Sequence, residues 1–162
     1  MQVAYPVVNV TGIAADATVI DNLWHSYTPQ ITIVGGGTAP NYTTNLGRFV
    51  VANNVVRCDI FLTGDGGTPG AGGGSLWVSL PVLPSVNTIG TSGWVGLGGY
   101  FSNGGANPNQ ILMGSFTVGS PLLSLGGYTG ANAITVLTGA EQNNTARTVQ
   151  AHFWYETSST LL

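Results

Sequence analysis

GRFVVANNVVRCDIFLTG, residues 47–64, holds two β-rich runs on either side of Ala52-Asn53-Asn54. Asparagine tolerates left-handed backbone, so the short link reads as a tight hairpin turn. In the second run Val56, Cys58, Ile60 and Leu62 fall on one face, and Val55, Arg57, Asp59 and Phe61 on the other. That is a period of two with one apolar and one partly polar face, the pattern of a half-buried antiparallel strand. The last run of the chain behaves alike: Val149, Ala151, Phe153 and Tyr155 alternate with Thr148, Gln150, His152, Trp154 and Glu156. Trp154 stands among polar residues, so this second face is expected to be covered as well.

Working outward, β-branched and aromatic runs recur at short intervals, separated by Gly, Pro, Asn and Ser. They are Gln30–Val34, Arg48–Ala52, Val55–Thr63, Ser75–Leu80, Trp94–Phe101, Gln110–Val118, Leu122–Leu125, Ile134–Thr138 and Arg147–Thr157. Helix signals are nearly absent, and no repeat of fixed period is visible. So many strands in 162 residues predict an all-β, two-sheet antiparallel β-sandwich, jelly-roll-like, over residues 23–162. An immunoglobulin-like sandwich is the second choice, without the Cys–Trp–Cys pattern that would favour it. Residues 1–22 lack crisp alternation and are broken by Pro6 and Gly12. They read as an extended N-terminal arm, with Tyr5, Pro6, Val7, Val8, Val10 and Ile13 as the residues expected to grip a neighbour.

Only 6% of the residues are charged, with three arginines (Arg48, Arg57, Arg147), no lysine and a net charge of −3. An ordinary globular chain carries roughly 25%. With 43% hydrophobic residues the chain is not a disordered one. No basic patch exists to displace counterions, which speaks against nucleic acid as a partner. So weakly charged a surface associates readily, a hint that much of it is covered in an oligomer or larger assembly. No stretch approaches the ~20 apolar residues of a membrane span. MQVAYPVVNV lacks the basic start and apolar run of a secretory signal, so synthesis in a cytoplasm is expected. Three Asn-x-Thr triplets, at Asn9, Asn41 and Asn143, carry little weight without such a signal.

GDGGTPGAGGGS, residues 64–75, invites a phosphate-loop reading. A phosphate loop needs a following Lys-Ser/Thr and a helix, and here the loop leads into a strand without any lysine. Asp65 alone is thin support for calcium, which takes six to eight oxygens. The loop therefore reads as a flexible, exposed connection, and no cofactor is expected. Six carboxylates and two imidazoles, His25 and His152, form no recognisable catalytic spacing. Both histidines read as structural, Cys58 reads as a buried small hydrophobe, and no enzymatic activity is expected. The aromatic residues are better candidates. Tyr42, Tyr100 and Tyr128 lie beside Gly- and Asn-rich loops and are candidates for stacking on carbohydrate.

One order of elements is familiar. Trp24 and Tyr27-Thr28-Pro29 lead into a first strand, and Gly47-Arg48-Phe49 opens the next. A strand ending in the glycine loop Gly64 to Gly74 follows, and the segment closes on Ser79-Leu80-Pro81. Residues 24–82 thereby resemble a module of tailed-bacteriophage structural proteins. The resemblance implies a jelly-roll-like sandwich, commonly a homotrimer, on the virion surface, and it brings no catalytic residues. Such modules occur in capsid decoration (cement) proteins, head fibres and tail-fibre tips. With no shaft before the module, the expectation is a decoration protein whose partner is the major capsid protein. The alternative is a fibre tip whose partners are tail or fibre proteins and host glycan.

Overall fold

The structure is a computed structural model that describes residues 23–52, 54–64, 70–85, 95–102, 110–117, 120–128, 134–140 and 147–157. They form ten strands: β1 (His25–Tyr27), β2 (Ile31–Val34), β3 (Thr44–Ala52), β4 (Val55–Thr63), β5 (Ser75–Ser79), β6 (Val95–Ser102), β7 (Gln110–Phe116), β8 (Leu122–Tyr128), β9 (Ile134–Val136) and β10 (Thr148–Glu156). Each of the nine expected runs contains a strand, with Trp94 and Val118 outside the described residues, and no α-helix occurs among the described residues. β1 was not anticipated; three residues are too few to show alternation. The opening hairpin forms as read. Ala52 pairs with Val55, and Asn54 takes a φ of 64°, in the left-handed region asparagine tolerates.

The strands make one hydrogen-bonded path, β1-β3-β4-β10-β6-β7-β8-β5-β2, with every neighbour antiparallel and β9 paired to β8. The path's two ends, β1 and β2, are consecutive in sequence, joined by Thr28-Pro29-Gln30. Four Cα steps from Tyr27 to Ile31 span at most about 15 Å. Laid flat, nine strands would separate those ends by roughly 38 Å. The sheet must therefore curl until its edges nearly meet. Hydrogen bonds fix the seam: Gln30 donates its backbone N–H to Ser79 Oγ (2.8 Å), Ser79 N–H donates to Gln30 O (2.9 Å), and Asn45 Nδ2 donates to Pro29 O.

The inside of the curl is the core. Val56, Cys58, Ile60 and Leu62 of β4 and Val149, Ala151, Phe153 and Tyr155 of β10 are all buried, as their alternation implied. They face Leu76, Val78, Leu97, Phe101, Leu112, Phe116, Leu123 and Leu125 across the interior. Burying each such side chain contributes about 1.5–3 kcal/mol. Tyr155 brings its one polar atom to a partner, donating to Val82 O at 2.8 Å. Cys58 lies within 3.1 Å of the Tyr27 hydroxyl, and burial pushes its thiol up to about 12, which removes it as a nucleophile at neutral pH.

The glycine loop departs from expectation in its described part, residues 70–74. It is bonded rather than free. Thr38 and Ala71 exchange backbone hydrogen bonds (2.9 and 3.1 Å), and Gly74 N–H donates to Gly36 O (2.8 Å). Gly139 and Ala140 donate to Gly74 O and Gly72 O from the other side. The glycines let three backbone segments approach one another closely. Asp65 lies outside the described residues.

Candidate functional site

Alternation that points the core residues inward decides what the outer face carries. Following the strand register across it gives one continuous row. Leu46 of β3 opposes Phe61 of β4, Phe61 opposes Gln150 of β10, and Gln150 opposes Tyr100 of β6. Tyr100 then opposes Ile111 of β7, Ile111 opposes Tyr128 of β8, and Tyr128 opposes Ile134 of β9. Directly opposed residues share a face, so six of these seven side chains form an apolar or aromatic stripe. Much of it is open: Leu46 is 62% exposed, Ile111 57%, Phe61 39% and Tyr100 38%.

Beside the stripe runs a polar row, Arg48–Asp59–His152, on β3, β4 and β10. Arg48 Nε donates to Asp59 Oδ2 at 2.6 Å, and His152 Nδ1 sits 2.6 Å from Asp59 Oδ1. Arg48 also lies over the Trp24 ring, 4.6 Å from its centroid. Arg48 and His152 are more than half exposed, whereas Asp59 is largely covered. One step further, Arg57 opposes Trp154. Trp154, expected on a covered face, is 60% exposed in the single chain.

Burial raises the Asp59 carboxyl, but hydrogen bonds from His152 and Arg48 outweigh it and hold its pKa below the usual value. A depressed carboxyl stabilises the fold above its unfolded pKa of ~3.9, and that contribution is lost as pH falls through the lower folded value. The melting-temperature gap between the native chain and Asp59→Asn is therefore expected to be open at neutral pH and to narrow as pH falls through and below the usual carboxylate range. A gap unchanged by acid would show that Asp59 is not held in this way.

Between the polar row and the stripe lies a cleft of about 520 Å³, lined by Tyr27, Leu46, Arg48, Asp59, Phe61 and His152 among others. The Asp59–His152 pair has the form of a base and its orienting carboxylate. The hydroxyl in the same row, Ser26, is opposite Arg48 on β1. Three strand spacings, roughly 14 Å, separate it from His152, so these groups do not form a nucleophilic triad. Among the described residues no three His, Cys, Asp or Glu side chains group as metal ligands. The cleft presents apolar walls beside the exposed His152 ring and the Arg48 guanidinium, which its neighbours hold in place.

The three tyrosines chosen from sequence separate. Tyr100 and Tyr128 stand in one row of the outer face. Tyr42 is buried, with the Arg147 guanidinium 5.0 Å from its ring centroid, so its face is not offered to a sugar. His25 tilts against Phe49. The arm residues Tyr5, Pro6, Val7, Val8, Val10 and Ile13 lie outside the described residues. Leu46, Ile111 and Trp154 were missed as surface residues. The signal for Trp154 was present, an aromatic on the polar phase of β10, but the stripe needs register, which a single strand does not encode. No helix among the described residues is long and apolar enough to cross a membrane. Comparison with known proteins finds no matching family model, curated protein or solved structure.

Proposed function

We propose that this chain is a non-enzymatic virion structural protein, a capsid decoration (cement) protein. On this reading it self-associates as a homotrimer and binds between capsomers of a phage head. The observation that carries the reading is the exposed apolar stripe across the outer sheet face, in a chain with only 6% charged residues. A surface of that kind is a poor one to leave in water and a good one to bury against protein. The order of motifs over residues 24–82 supplies the bacteriophage context, and the curl of the sheet is compatible with a jelly-roll-like arrangement. A protein that binds only the assembled shell stabilises it by its binding free energy.

The second reading, a fibre tip that binds host carbohydrate, draws on the exposed Tyr100 and its row neighbour Tyr128. Stoichiometry separates the two. In purified particles the ratio of this chain to the major capsid protein is expected to be near one or a simple fraction of it. A few copies per particle, with glycan binding lost in Tyr100→Ala, would replace decoration by the fibre tip.

A further inference from the structure

We infer that the cleft between β3, β4 and β10 receives Trp154 of a second copy of this chain. The inference rests on the self-association in the reading above and gives that association a site. Knob and socket lie on one face, two residues apart on β10: His152 lines the cleft and Trp154 projects beyond it.

Their chemistry matches. Leu46 and Phe61 give the cleft an apolar wall for an indole. The Arg48 guanidinium is covered on one side by Trp24 and is otherwise largely exposed, so a second indole can stack on its other side. The area is also in range. Trp154, Leu46, Phe61, Tyr100 and Ile111 together expose roughly 500 Å² of apolar surface, with aromatic side chains taken at ~150–250 Å² each. A stable interface takes ~800 Å² from each partner, and the polar row Arg48–Asp59–His152 beside the stripe adds to the rim.

The experiment is complementation, read by light scattering on size-exclusion peaks. The native chain is expected to run as an oligomer at micromolar concentration. Trp154→Ala removes the knob and keeps the cleft, while Leu46→Glu spoils the cleft and keeps the knob. Each alone is expected to run as a monomer, with self-affinity at least about thirty-fold weaker, the loss typical of an interfacial hot spot. Mixed, the two variants still hold one intact knob and one intact cleft, and a two-chain species is expected to return. Both positions are mostly exposed, and circular dichroism with an unchanged melting temperature establishes that each variant is folded; Trp154→Gln substitutes if the alanine variant is not. A native monomer, an oligomer that survives Trp154→Ala, or a mixture that stays monomeric would each overturn the inference. The capsid ratio is independent of this result: decoration stands if that ratio holds while complementation fails.

Discussion

Arg147→Ala is expected to lower stability by about 3–5 kcal/mol, at the upper end for a single substitution. In a chain of this size that is a fall in melting temperature on the order of 10 °C. Arg147 is fully buried, an unusual state for a cation. It is held there from several sides. A terminal nitrogen donates to Asn41 O, the guanidinium lies over the Tyr42 ring, and its backbone carbonyl accepts the Gly64 N–H at 2.9 Å. A Cβ on Gly64 would stand 2.8 Å from the guanidinium carbon, so the glycine there makes room for the arginine. Burial pushes the Tyr42 phenol well above its ordinary value, and the adjacent guanidinium offsets only part of that. The ring therefore stays neutral and the contact is cation on π-face rather than an ion pair. Truncation to alanine empties a large buried volume and leaves Asn41 O without this donor. It also removes the cost of desolvating an ion, so Arg147→Met, which keeps the aliphatic stem and drops the charge, is expected to lose clearly less. Urea unfolding of the three proteins measures the series. Alanine and methionine variants of equal stability would mean that the guanidinium, not the packing, is what the fold requires.

Arg147 also shows where sequence reading stops. As one residue it marks the start of a strand, and as one of three arginines it counts toward a low charge. Nothing local says that it reaches across to Asn41 and Tyr42, more than a hundred positions earlier. Tyr42 was assigned to solvent because its neighbours are Pro, Asn and Thr, and local polarity is a weak guide where a distant side chain supplies the cover. β4 and β10 were legible because alternation is local and their cores are uniform: every second residue from Val56 to Leu62 and from Val149 to Tyr155 is buried. The curl of the sheet was not legible. It follows from the pairing of β1 with β3 and β2 with β5, which places two consecutive strands at opposite ends of the path. The candidate site sits between these cases. Arg57, Asp59 and Phe61 were set on the phase opposite the core and Trp154 on a face expected to be covered, but the stripe and the Arg48–Asp59–His152 row exist only once β3, β4, β10 and β6 are in register.

The glycine loop provides a graded test of its own. Three glycines in the interlocked region differ in one property at a time. Gly73 has ordinary backbone and open space where a Cβ would go, so Gly73→Ala is expected to be neutral or to stabilise slightly by restricting the unfolded chain. Gly36 also has open space but a φ of +100°, so Gly36→Ala pays the left-handed backbone cost alone, about 1–2 kcal/mol. Gly37 has a φ of +136°, and its Cβ would stand 2.3 Å from Ala71 O and 3.2 Å from Ile33 Cγ2. The obstacle at Ala71 is backbone, which cannot rotate aside, and the same carbonyl accepts the Thr38 N–H. Gly37→Ala must therefore separate the two segments, and the hydrogen bonds Thr38 exchanges with Ala71 go with them. Adding overpacking to backbone strain gives an expected loss of roughly 3 kcal/mol or more. Chemical denaturation of the three variants is expected to rank them Gly73, Gly36, Gly37, with the last step the largest. If Gly37→Ala is no worse than Gly36→Ala, the segments 35–38 and 71–74 are not in contact in solution, and the loop is the open connection its composition first suggested.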